Sequence, residues 1–160
     1  MKGFEPSFLE KLFDEDPRAP AAGVLKRLSI EQVKESVARD LEALLNSRMV
    51  FSDEHLQPFP ECRKSVITYG LNDFSGLSLA SSFDRAYICR SLEQAITLHE
   101  PRLKNVRAIL DLRNRSSNSL HFSISAMLEL HPAREPVNFD ALLQPTTLQY
   151  SVSRARRTSA

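Results

Sequence analysis

The feature that most limits how this chain can fold is a long, strict alternation late in the sequence. Leu120, Phe122, Ile124, Ala126, Leu128 and Leu130 alternate with His121, Ser123, Ser125, Met127, Glu129 and His131. Successive side chains of a strand point to opposite faces, so this run predicts one long strand with a single buried face. Upstream, Val106, Ala108, Leu110 and Leu112 alternate with Arg107, Ile109, Asp111 and Arg113, and residues 114–119 read as the turn between the two. Val137-Asn138-Phe139 and Leu148-Gln149-Tyr150-Ser151-Val152 are shorter strand candidates. Strands buried on one face and joined by turns form an antiparallel sheet.

Such a sheet needs a cover, and the preceding residues supply helices. Ser29 to Arg48 carries Ile30, Val33, Val37, Leu41, Leu44 and Leu45 at helical spacing. Ser29 with Gln32 three residues on is a capping-box pattern. A second helix is predicted over Ser82–His99, with Ser82 as its cap and Ile88, Cys89, Leu92, Ala95 and Ile96 as its stripe. Pro101 stops it by disfavouring helical geometry in the residue before it. Residues 49–61 read as a loop, and the short apolar stretch Cys62–Tyr69 ends at Gly70. The expected fold class is α+β, with N-terminal helices packed on a small antiparallel β-sheet. With 160 residues there is room for one domain. It is expected over residues 29–152, after an N-terminal docking segment (1–28) and before a disordered basic tail (153–160).

The sequence carries few marks of chemistry. It has no phosphate-cradling glycine motif, and only 4 glycines from which to build one. Cys62 and Cys89 lie far apart, and His55, His99, His121 and His131 lack zinc-ligand spacing, so no metal or cofactor is expected. Glu54, Asp73, Asp84 and Glu100 are the carboxylates open to a hydrolytic reading, with nothing to select a pair among them. Net charge is +1, which selects neither nucleic acid nor an anionic membrane, and no run is long and apolar enough to span a bilayer. The N-terminus has no secretory h-region, so a cytoplasmic location is expected. Charge is unevenly placed: residues 1–61 hold 8 basic and 12 acidic side chains, and residues 62–160 hold 13 and 8. Opposed halves suit a small protein held between two partners.

Two segments read as contact elements. Phe8, Leu9, Leu12 and Phe13 share one face of a short amphipathic stretch that is too short to be stable alone. Glu100-Pro101-Arg102-Leu103 falls at the helix-to-strand junction. There a proline stiffens the backbone between an acid and a guanidinium, and is expected to present two opposite charges at low ordering cost.

Four landmarks stand in order: Ser7-Phe8-Leu9-Glu10-Lys11-Leu12, the helix from Val37 to Arg48, Ser65-Val66-Ile67-Thr68-Tyr69-Gly70-Leu71-Asn72-Asp73-Phe74, and Glu100-Pro101-Arg102-Leu103 followed by the alternating strands. This order resembles the TssE family of type VI secretion baseplate subunits, within the lysozyme-like wedge proteins of contractile phage tails. The resemblance spans roughly residues 7–152. It implies a structural protein that is not an enzyme, in a baseplate docked at a membrane. The implied partners are TssF, TssG, TssK and the sheath proteins TssB and TssC around the Hcp tube. It implies no small-molecule substrate. Glu100, Pro101 and Arg102 correspond to the family's contact motif, and Phe8, Leu9 and Leu12 form a second candidate docking element. The expected mechanism is templating, in which a sheet edge pairs with the first sheath ring by strand addition. The alternatives are a phage-type tail baseplate protein and a cell-wall muramidase.

Overall fold

A computed structural model describes residues 4, 28–51, 53–78, 80–111, 119–144 and 146–155. The main helix, α1 (Ile30–Asn46), begins with the expected capping box. Gln32 N donates to Ser29 Oγ at 3.2 Å, and Ser29 N donates to Gln32 Oε1 at 2.8 Å. Val33, Val37, Ala38, Leu41, Leu44 and Leu45 form its buried stripe. The expected loop after it contains one helical turn, α2 (Asp53–Leu56). The apolar stretch that follows forms two 3₁₀ turns, Cys62–Lys64 and Val66–Thr68. The second long helix, α3, spans Ser82–His99 as expected, but Ser81 caps it rather than Ser82. Ile88, Leu92 and Ile96 are its buried stripe.

The strands form a four-stranded antiparallel meander in the order β1-β2-β3-β4. They are β1 (Leu103–Asp111), β2 (Leu120–Leu130), β3 (Ala133–Gln144) and β4 (Gln149–Arg154). In β2 the expected phase holds: Phe122, Ile124, Ala126 and Leu128 are buried. In β1, Leu103 and Val106 are both buried although three residues apart. The register shifts between Lys104 and Arg107, and Asn105 takes φ 54°, so a bulge flips the strand's phase onto the core.

β3 is much longer than the expected Val137–Phe139. Glu135, Pro136 and Asp140 hide its apolar rhythm, yet Val137, Phe139 and Ala141 all reach the core. β4 runs two residues past the expected start of the tail, and Arg154 pairs with Glu31 of α1. The helices cover one face of the sheet, α1 along β4 and α3 along β1. Leu41, Leu92, Ile124 and Phe139 meet in the core between these layers with no exposed surface. Phe4 and Leu28 exchange two backbone hydrogen bonds, of 2.9 and 2.7 Å, beside α1. The candidate docking residues Phe8, Leu9 and Leu12 lie outside the described residues.

Candidate functional site: a charged corner and the edges of the sheet

At the end of α3, Glu100 N donates to Ile96 O at 2.8 Å, and the chain then turns into β1, with Leu103 N donating back to Glu100 O at 3.1 Å. The turn folds the two charges of the corner onto each other. Arg102 Nε donates to Glu100 Oε1 at 2.7 Å and Arg102 Nη2 to Oε2 at 2.5 Å. The Arg102 backbone N–H adds a third bond to Oε1 at 3.1 Å. Nη2 also reaches Asp40 Oδ2 on α1, and Glu129 N on β2 donates to Arg102 O at 2.8 Å. One guanidinium therefore ties together α3, β1 and α1, and its backbone ties in β2.

This corrects the picture of two charges presented outward. Glu100 is buried, with 5% of its surface exposed, while Pro101 is exposed and Arg102 half-buried. Burial opposes charge on the guanidinium, but the bonds and charges of Glu100 and Asp40 more than offset it and hold Arg102 protonated above its ordinary range. Such a pair adds little net stability over an apolar substitute, but removing one partner strands the other.

The cluster extends to the 3₁₀ turns. The His99 ring packs edge-on against Tyr69, centroids 5.4 Å apart, and His99 Nε2 lies 2.8 Å from Thr68 O. Burial, followed by the Asp40 and Glu100 charges, pushes the Tyr69 hydroxyl pKa up. Sequence reasoning assigned no role to Asp40 or Tyr69. The available signal was an acid at position 40, on the border of the apolar stripe of α1. Gly70 follows with φ +124°, and a Cβ there would stand 2.8 Å from the Ser47 carbonyl. Only glycine fits this crossing, where Leu71 N donates to Ser47 O and Met49 N to Leu71 O, both at 3.0 Å.

The structure does not gather the hydrolytic candidates into a pair. Asp73 accepts from the N–H and hydroxyl of Ser75, both at 2.9 Å. Those bonds hold its carboxyl below the usual range. Asp84 accepts from Ser78 N at 2.9 Å at the start of α3, Glu100 is committed to Arg102, and Glu54 is exposed.

Side chains from the helices and from Arg48 occupy part of each outer edge of the sheet. On β4, the Asn46 amide donates to Tyr150 O and accepts from Tyr150 N, both at 2.8 Å, as a neighbouring strand would. Glu42 accepts from Val152 N at 2.7 Å, and Arg48 donates to Leu148 O at 3.0 Å. On β1, Glu93 accepts from Ala108 N at 2.9 Å. β3 differs, because β4 pairs no further than Phe139 with Arg154, after which Ala155 N donates to Asn138 O at 3.0 Å. The first half of β3 thus extends beyond β4. It forms one wall of a groove of about 880 Å³ whose other wall is the start of α1. Lys34 spans this groove, 2.9 Å from Glu135 and 3.2 Å from Glu31.

The family model described as Baseplate wedge protein gp25 matches residues 31–133, a span that contains Asp40, the corner and β1. The chain belongs to that baseplate wedge family. Among curated proteins it is similar to the anti-adapter protein IraD of Escherichia coli O6:K15:H31 (strain 536 / UPEC), 28% identical over 112 residues, 70% of this chain and 76% of IraD. IraD of Escherichia coli strain UTI89 matches to the same extent. Among solved structures it is similar to a Geobacter sulfurreducens protein assigned as a tail lysozyme. That match has 14% identity and a TM-score of 0.43, and covers 79% of this chain and 95% of that one. Membership in the wedge family makes a structural role in a baseplate the frame for the corner and the edges. Among the described residues, no helix is long and apolar enough to cross a membrane.

Proposed function

We propose that this wedge-family protein is a non-catalytic, TssE-like subunit of a type VI secretion baseplate. It docks on the wedge proteins TssF and TssG, beside TssK, in an assembly held at the membrane. It then helps the sheath proteins TssB and TssC to begin polymerising around the Hcp tube. The observation that carries this reading is the corner. Within the span matched by the family, it fixes an exposed proline beside a half-buried arginine on a four-element clamp. A contact surface preorganised in this way loses little entropy on binding. Strand addition to the sheath fits the first half of β3, because it runs on beyond β4, while helix side chains already hold Tyr150 and Val152 on β4 and Ala108 N on β1.

The test is co-purification with co-expressed TssF and TssG. Arg102→Ala alone is a poor probe, since it strands a buried carboxylate. The double variant Glu100→Gln/Arg102→Met leaves no unpaired buried charge and separates docking from folding. The expected result is a folded domain, by circular dichroism, that no longer co-purifies. A folded variant that still co-purifies removes the corner from the interface. The commitment of Asp73, Asp84 and Glu100 to structural hydrogen bonds favours this reading over a muramidase. Clearing of purified cell walls by the wild-type chain would overturn it. A complex formed with phage-tail wedge subunits, and not with TssF and TssG, would reassign the setting to a phage-type baseplate.

A further inference from the structure

A second groove opens beside the corner, between α3 and the two 3₁₀ turns, with a volume of about 470 Å³. Met49, Ala95 and Leu98 give it an apolar centre. Arg63 and Lys64 are the charged residues along it, and no carboxylate lines it. His99 fastens its two walls. Thr68 lines the groove, and its carbonyl and hydroxyl oxygens lie 2.8 and 3.2 Å from His99 Nε2. His99 is followed directly by Glu100, so the groove is continuous with the corner.

Folding does not account for the apolar exposure found here. Val66 is 82% exposed and Ile67 41%, on the turn that carries Thr68, and Leu98 is 44% exposed on the helical wall. Large apolar side chains left in water together mark an interaction site. The backbone of both walls is already paired. Ser65 N donates to Cys62 O at 3.1 Å, Thr68 N to Ser65 O at 3.2 Å and Tyr69 N to Val66 O at 3.0 Å. The other wall is α3, whose backbone groups bond along the helix. An extended strand therefore finds no ladder to join. An occupant must satisfy its own backbone, as a helix does.

We propose that this groove is the second half of the wedge contact, and that it receives the apolar face of an acidic amphipathic helix from the wedge partner. The inference rests on the docking reading above and extends it from the corner to a surface. Apolar groups at i, i+3 and i+4 of such a helix cover Met49, Ala95 and Leu98, and carboxylates flanking that face meet Arg63 and Lys64. The sign of the partner follows from the charges left over. Glu100 and Asp40 are both taken by Arg102, whereas Arg63 and Lys64 are exposed along the groove. The cationic rim steers encounter and selects the partner, and the apolar centre holds it.

The test is binding of the full chain to immobilised TssF–TssG complex, followed by surface plasmon resonance. Leu98→Asp puts a charge into the apolar centre and should abolish binding. Arg63→Glu/Lys64→Glu should slow association at least about 10-fold at low salt, with little change in dissociation. Both variants alter exposed side chains, so their urea midpoints should match wild type. In the wild-type complex, carbodiimide should couple the Lys64 amine to partner carboxylates spaced i, i+3 or i+4. If Leu98→Asp does not fold, the charge reversal and the coupling decide. A wild-type chain that does not bind fails the docking reading, and this inference with it. Binding that is lost in Glu100→Gln/Arg102→Met but unchanged in both groove variants leaves the corner standing and overturns the groove. Absence of coupling at Lys64, or coupling to carboxylates that alternate as along a strand, overturns the helical occupant.

Discussion

Arg102→Ala should destabilise the domain far more than a surface arginine normally would. Arg102 makes three hydrogen bonds to Glu100 and one to Asp40. The alanine variant keeps the backbone bond and loses the side-chain bonds. Asp40 tolerates the loss, because 39% of its side chain is exposed and water replaces the guanidinium. Glu100 does not, with 6% of its side chain exposed. Breaking a buried pair by removing one partner costs about 3–5 kcal/mol. Arg102 is itself 22% exposed, so water entering the vacated space lowers the expected cost to about 2–4 kcal/mol. That is a large share of the roughly 5–15 kcal/mol that stabilises a typical domain. Urea unfolding followed by circular dichroism reads the difference as a shift in midpoint. Glu100→Gln/Arg102→Met should recover most of the loss, since it removes the stranded charge together with its partner. An Arg102→Ala midpoint equal to wild type would refute the claim that Glu100 is held as a buried, paired carboxylate.

Further expectations come from other parts of the fold. Tyr150→Phe removes an unsatisfied donor and should be neutral or stabilising, by up to about 1–2 kcal/mol in the same unfolding assay. Burial pushes the Tyr150 pKa up to about 12, so the unfolded chain loses this proton first as pH rises. Wild-type stability should therefore fall between about pH 10 and 12, with a shallower fall in Tyr150→Phe. Asn46→Ala frees both backbone groups of Tyr150. It should cost about 1–3 kcal/mol and, by opening the β4 edge, produce concentration-dependent association in light scattering. Gly70→Ala places a methyl group 2.8 Å from the Ser47 carbonyl at φ +124° and should cost at least about 2 kcal/mol in thermal unfolding.

What the sequence made legible was whatever rests on periodicity. β2 repeats its apolar residues six times at period two, and α1 keeps its stripe for 17 residues behind a capping box, so both stand where the pattern puts them. β3 was hidden because Glu135, Pro136 and Asp140 break the composition of a strand without breaking its geometry. The corner was visible as a motif, but its inward turn was not. Nothing within Glu100–Leu103 tells that Asp40, 62 residues upstream, arrives beside Arg102. The edge seals were illegible for the same reason. Asn46 and Tyr150 are 104 residues apart, and each is ordinary in its own element. Side chains that act as substitute strands leave no local pattern.

Those seals bear directly on how another chain could join the sheet. On β4, Asn46 and Glu42 already hold the outward groups of Tyr150 and the Val152 N–H, and on β1 Glu93 holds the Ala108 N–H. The first half of β3 is different. Gln144 and Asn138 turn their carbonyls toward the β4 side, so the even-numbered residues of β3 face that side. The next two in sequence are Pro136 and Arg134. Pro136 has no N–H, so a strand continuing the line of β4 would find an acceptor there and no donor. Proline at this position blunts casual edge-to-edge pairing while leaving the carbonyls available. A productive partner must compensate with side-chain contacts in the groove, where Lys34 is held by Glu31 and Glu135. Selectivity at this edge would then come from displacing those ion pairs, and it should weaken in Lys34→Ala while the sheet itself stays intact.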